Sequence, residues 1–229
     1  MNLSPHDIRW IVIRVFVLIG SVAFHEFGHA IMAYKLGDDT PRRQGRVTLN
    51  PLAHADPIGT FLLPIAGSVY NAASGSGVGG FGWGKPVEWN PTKINRKWRM
   101  ATARILVAIA GPSMNIVLAL LCALVNVILL SQNVVSLESD VTQILFFAVT
   151  TNFVLCFFNL LPVPPLDGGH VAESFMPYRH RATFESYARF GPFIVMGFVM
   201  IPQFAQVFRI PAYWCAEHLY KALLSLFGM

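Results

Sequence analysis

The fold class this sequence predicts is an all-α protein threaded several times through a lipid bilayer, and three observations predict it. Of its 229 residues 54% are hydrophobic and only 13% charged, about half of the roughly 25% charge found in ordinary soluble domains. Its mean hydropathy of +0.52 is carried by long uncharged runs rather than by an even scatter of apolar residues. The basic residues behind the net charge of +5 lie between those runs, where a membrane protein keeps its cytoplasmic flanks. That placement argues against nucleic-acid binding, and the density of aliphatic and aromatic residues argues against disorder.

The elements follow in order. From Val15 to Tyr34 the only charged residue is Glu26, a run long enough to cross about 30 Å of hydrocarbon as a helix. The stretch around it lacks a small-residue cleavage pattern, so it is expected to stay in the mature protein. No charge occurs between Arg104 and Glu138, nor between Asp140 and Asp167, which gives helices two and three joined by a short loop. A fourth uncharged run spans Phe190 to Phe208 and contains Pro192 and Pro202. The tail from Pro211 to Met229 carries Glu217, His218 and Lys221 and reads as a C-terminal interfacial helix. About four transmembrane helices are therefore expected.

Residues 57–84 form a further uncharged segment that becomes glycine-rich from Gly75. Basic residues flank it on both sides: Lys35, Arg42, Arg43 and Arg46 before, Lys85, Lys93, Arg96, Lys97 and Arg99 after. Both flanks are then cytoplasmic, and the segment is re-entrant. The loop with Glu138 and Asp140 becomes external, and parity puts the N-terminus outside, against Arg9 and Arg14. A short cytoplasmic β-hairpin region is expected around Arg46 to Leu49. The chain is expected to form one membrane-embedded domain over 1–229, with a catalytic core at about 15–175 and C-terminal helices over 183–229.

The first helix contains His25-Glu26-Phe27-Gly28-His29. Residues four apart share a helical face, so His25 and His29 can aim two imidazoles at one Zn²⁺, with Glu26 one step round facing the water of such a site. The bland alternative is a pair of buried structural histidines, but ionisable groups inside a membrane are costly and mark function. Catalytic zinc takes three protein ligands. Asp167 stands out as the third, at the end of Asn159-Leu160-Leu161-Pro162-Val163-Pro164-Pro165-Leu166-Asp167-Gly168-Gly169, where prolines break the helix and glycines permit close backbone approach. The cysteines Cys122, Cys156 and Cys215 form no CxxC pair, so neither a disulfide framework nor a cysteine zinc site is expected.

With HEFGH in helix one, GPSMN at Gly111 to Asn115 and NLLPVPPLDGG from Asn159, the sequence resembles the site-2 proteases, intramembrane zinc metalloproteases, in a compact form without a PDZ or CBS domain. The resemblance implies one zinc ion held by His25, His29 and Asp167, with Glu26 as catalytic base and Asn159 in contact with the substrate backbone or oxyanion. It implies a transmembrane protein as substrate, cut within or near its membrane segment. The expected setting is the inner membrane of a prokaryotic cell. The depth of His29, about 8 Å by helical rise before Tyr34, puts the active site toward the cytoplasmic side.

Other polar residues have simpler readings. His54 reads first as a loop histidine, with a fourth ligand or a gate over zinc as alternatives. Asn115 follows a Gly-Pro kink and is expected to satisfy freed backbone groups. His170 is a conceivable outer partner of the metal site, and Trp83, Trp89 and Trp98 read as interfacial anchors. A substrate helix must be unwound before attack and could be held by an unpaired strand edge, with Arg46 to Leu49 as its source. Two other functions compete with the protease: a membrane metal-ion transporter or metal-binding membrane protein, and a zinc protease for soluble substrates with a glutamate ligand. Transporters show paired repeats, which this chain lacks, and no suitable helical glutamate follows HEFGH.

Overall fold

The computed structural model describes residues 4–74 and 82–229; most of the glycine-rich run, residues 75–81, lies outside them. Nine α-helices occur among the described residues: α1 (Pro5–Lys35), α2 (Thr40–Arg43), α3 (Pro51–His54), α4 (Leu63–Ser74), α5 (Met100–Ser131), α6 (Asp140–Asn159), α7 (Asp167–Phe175), α8 (Arg181–Met200) and α9 (Pro202–Leu226). A π-helical turn, Pro57–Leu62, leads into α4. The helices α1, α5 and α6 are each long and apolar enough to cross a membrane, and a fourth span is reached if α8 and α9 count as one broken element, bent by 78°.

Local chemistry sets the ends. Ser4 and Asp7 form a reciprocal capping box, Ser4 Oγ accepting from Asp7 N–H at 3.1 Å and Asp7 Oδ2 accepting from Ser4 N–H at 3.0 Å, so two orphan donors of α1 are satisfied. Gly37, at φ 116°, closes its other end in a conformation that a side chain would strain. Pro112 lies inside α5. At Pro162 the chain stops continuing α6, and α7 restarts only at Asp167. Asp167 therefore opens a new helix instead of ending the third span.

The expected β-hairpin is not formed, since the described residues contain no strand. Its residues are used otherwise: the buried Arg46 guanidinium donates to the carbonyls of Ala53 and Lys85, which clamps this loop down as irregular backbone. Residues 82–90 likewise form no regular element. The C-terminal half also departs from expectation. Pro202 starts α9, and α9 runs antiparallel along α6, Phe208 meeting Phe158 at one end and Tyr220 meeting Phe146 at the other. Ala119 and Ala123 of α5, Val149 and Phe153 of α6, and Ala212 and Ala216 of α9 form one core. Small side chains at that seam let the helix backbones approach closely.

Candidate active site

The helices α1 and α5 cross at the HEFGH motif. A Cβ on Gly28 would fall 2.5 Å from Ala110 O, and one on Gly111 would fall 2.8 Å from His25 Cε1 and closer still to His29 Nε2. Only glycine fits at these contacts. Two turns of α1 thereby sit directly on two turns of α5, and the break before α7 swings Asp167 in from the other side.

The result is a three-donor cluster. His25 Nε2 lies 3.2 Å from Asp167 Oδ2, His29 Nε2 lies 3.3 Å from Asp167 Oδ1, and the two Nε2 atoms are 3.1 Å apart. The side chains of His25, His29 and Asp167 are 10%, 12% and 13% exposed. This is the metal-competent group among the described residues, its ligand atoms all within 4.8 Å of one another.

Outer partners decide which nitrogens face the cluster. His29 Nδ1 donates to Val107 O at 2.8 Å. A carbonyl can only accept, so a proton sits on Nδ1, and in the neutral imidazole the lone pair is then on Nε2. His25 Nδ1 meets Asn115 Oδ1 at 2.7 Å. Asn115 Nδ2 faces Ser21 O at 3.2 Å, again an acceptor, so the oxygen of that amide must face the imidazole. With both rings neutral, two lone pairs and a carboxylate converge, and Asp167 Oδ2 is buried without a hydrogen-bond partner. Such a constellation is unfavourable as it stands and fits a divalent cation of the nitrogen- and oxygen-loving kind.

Glu26 sits beside the cluster, its Oε2 accepting from Val87 N–H at 3.0 Å. Asn159 donates through Nδ2 to Leu155 O at 2.9 Å, one turn back on α6, and lines the same cavity as Glu26 and Asp167. That cavity, about 1900 Å³, is bounded by α1, α4, α5, α6, α7, α8, α9 and the segment 82–91. It is large enough for a stretch of peptide rather than a small ligand.

The remaining polar residues fall outside the cluster. His54 is buried at the end of α3, in a short helix rather than a loop, its Nε2 meeting Thr48 O at 2.9 Å, and it is not among the three clustered donors. His170 is half exposed and turned toward Glu173, Nδ1 to Oε2 4.0 Å. Trp83 and Trp89 line the cavity, and Trp89 also packs on the core of Ala33, Leu36 and Val107; interfacial anchoring is therefore not their whole role. Asn115, read from sequence as a backbone filler, holds a candidate ligand. Its spacing of four from Gly111 mirrors that of His25 from His29 and is the signal that could have revealed it. The amide of Val87 gives no such signal, because any non-proline residue supplies it.

The profile of peptidase family M50 matches residues 13–137 and 127–202. Among curated proteins that carry the name "Putative zinc metalloprotease", YwhC of Bacillus subtilis (strain 168) is 38% identical over 184 residues, 79% of this chain and 76% of its own length. Rip2 of Mycolicibacterium smegmatis is 28% identical over 210 residues, 90% of this chain and 75% of its own. Rip2 of Mycobacterium tuberculosis (strain ATCC 25618 / H37Rv) is 34% identical over 149 residues, 65% of this chain and 51% of its own. No solved structure matches the chain. The family profile covers well over half of the residues, including every donor of the cluster, so the chain belongs to peptidase family M50, the site-2 protease family.

Proposed function

We propose that the protein is an intramembrane zinc endopeptidase in which His25, His29 and Asp167 hold one zinc ion, Glu26 is the general base and Asn159 contacts the reacting carbonyl. The observation that carries this reading is the convergence of two Nε2 lone pairs and a buried carboxylate at 3.2 and 3.3 Å. A zinc ion there supplies Lewis acidity toward a peptide carbonyl and brings the acidity of water near neutrality. Family membership favours this over a metal transporter.

The chain's own residues supply the rest. Glu26 takes the proton from the attacking water and passes it to the leaving amine, and the Val87 N–H on Oε2 fixes the carboxylate for both transfers. In this reading the Asn159 amide, which lines the same cavity, stabilises the oxyanion. A substrate helix has its carbonyls internally bonded and must be unwound locally. The edge that could hold it is better sought at residues 82–90 than at 46–49. There Trp83, Lys85 and Val87 donate their N–H groups to Gly59 O, His54 O and Glu26, an alternation that in extended backbone would turn the N–H of Gly84 and the carbonyls of Gly84 and Pro86 the other way.

The membrane arrangement consistent with this chemistry has α1, α5, α6 and α9 as spans, α8 across the cytoplasmic ends, and the segment from Pro57 through α4 as re-entrant. The whole chain forms one domain in the inner membrane of a bacterium. The active site opens toward the cytoplasm, since His29 lies near the Lys35 end of α1, followed by basic loops. Arg9, which argued against an external N-terminus, pairs with Asp140 through two bonds of 2.8 and 2.9 Å, and its charge no longer opposes that placement.

The experiment is comparative proteomics of membranes holding the wild type or Glu26→Gln. Fragments cut inside a transmembrane segment should appear with the wild type alone. Identical fragment sets would refute the protease reading.

A further inference from the structure

Behind the candidate metal site lies a polar network that the proposed chemistry does not use. Asn115 of α5 and Asn152 of α6 are both fully buried, and Ser21 of α1 is 1% exposed, all within long apolar helices. Asn152 Nδ2 donates to Ala148 O and to Ser21 Oγ, each at 2.9 Å; Ser21 Oγ donates in turn to Val17 O at 2.8 Å. Asn115 Nδ2 donates to Asn152 Oδ1 at 2.9 Å and to Ser21 O at 3.2 Å.

The order of donors is forced. Ala148 O accepts only, so Asn152 must turn its nitrogen to it and its oxygen to Asn115. Asn115 then presents its nitrogen to two acceptors and its oxygen to His25 Nδ1. Four groups from three helices thus form one directed chain of dipoles ending on an imidazole, in surroundings where such bonds are strengthened.

We infer that Asn152 is a positioning residue for the metal site: through Asn115 it holds His25 as the Nδ1–H tautomer, with the Nε2 lone pair toward His29 and Asp167. The inference rests on the reading of His25, His29 and Asp167 as zinc ligands. It makes α6, which brings Asn159 to the cavity but no donor to the cluster, part of the support of the metal site as well. With an apolar residue at 152, the Asn115 amide loses one of the two acceptors that define its orientation, and rotation of that amide would present a nitrogen to His25 Nδ1 and demand the other tautomer. An opposed donor and a misdirected lone pair would then stand where the metal needs a ligand.

A purely structural role is separated by a control at another buried asparagine, on the helix that carries Asn115. Asn126 of α5 is as buried as Asn115 and joins α5 to α9 and α6 through Tyr220 Oη at 2.9 Å and Thr142 O at 3.4 Å, about three turns along α5 from Asn115. Zinc affinity by chelator competition and the His25 imidazole ¹⁵N shifts of the zinc-free protein should be measured in detergent for the wild type, Asn152→Leu, Asn126→Leu, Asn115→Ala and Asn152→Leu with Asn115→Ala.

Asn152→Leu should bind zinc about tenfold more weakly, the lower end of what outer partners contribute, and show a mixture of His25 tautomers. Asn126→Leu should match the wild type in both. Asn152→Leu should have no further effect once Asn115 is alanine, because the coupling runs through that side chain. Unchanged affinity with a pure Nδ1–H tautomer would overturn the inference, as would equal weakening by Asn126→Leu or an undiminished effect in the Asn115→Ala background. If Asn152→Leu does not fold, Asn152→Ser, too short to reach Asn115, carries the same expectations. A wild type that binds no zinc would overturn the zinc reading itself, whereas unaltered binding in the Asn152 variants removes only the role of Asn152.

Discussion

Replacing Gly111 by alanine tests the site without removing any donor. The new Cβ would stand 2.8 Å from His25 Cε1 and 2.5 Å from His29 Cε1, against about 3.5–4.0 Å for ordinary carbon contact. The imidazoles must therefore retreat by about 1 Å, whereas metal–ligand distances are held to within about 0.2 Å. The fold itself should survive. Alanine gains about 1 kcal/mol over glycine in a helix interior, and overpacking costs about 1–3 kcal/mol, so the net loss is at most about 2 kcal/mol. Gly111→Ala should thus melt within several degrees of the wild type while binding zinc at least tenfold more weakly in chelator competition. Wild-type zinc affinity in a folded Gly111→Ala protein would refute the geometry deduced for the cluster.

Three further outcomes are expected. Asp167→Ala should lose most zinc by metal analysis, since two imidazoles alone make an incomplete site, and full retention would remove Asp167 from the ligand set. Glu26→Gln should retain zinc in the purified protein but cut no test substrate, because an amide of the same shape cannot take a proton at neutral pH; appreciable turnover would take Glu26 out of the base role. With Cys122, Cys156 and Cys215 replaced, single cysteines at the exposed positions Arg96 and Ser136 should react with an impermeant thiol reagent from opposite sides of sealed vesicles. Labelling of both from one side would overturn the proposed topology while leaving the metal chemistry untouched.

What could be read from the residues alone divides along physical lines. Long uncharged runs and the four-residue spacing of His25 and His29 are properties of one helix, and both the apolar helices and the shared histidine face are present. Asp167 was reachable because carboxylates are scarce in apolar sequence, but its place at the start of α7 depends on how three prolines redirect the chain. The bend between α8 and α9 moved the run from Phe190 to Phe208 out of a single helix, since Pro202 begins one helix as readily as it kinks another. The strand expected near Arg46 failed because β-branched residues there are overruled by a buried guanidinium that binds two carbonyls. Asn152 stayed invisible for a different reason: an asparagine in an apolar helix announces cost, and only the packing of three helices says what it faces.

The separation of the site's parts along the chain has a consequence for biosynthesis. His25 and the asparagine that orients it are 90 residues apart, and Asp167 is made later still. At about 5–20 residues per second, His25 and His29 wait roughly 5–18 s in the bilayer before even Asn115 exists. During that interval the nascent chain offers two imidazoles with unfixed tautomers and no carboxylate, a poor trap for metal. Proteolytic competence therefore arises late, once Asp167 has been made, and a product truncated before Asp167 would lack a complete set of donors.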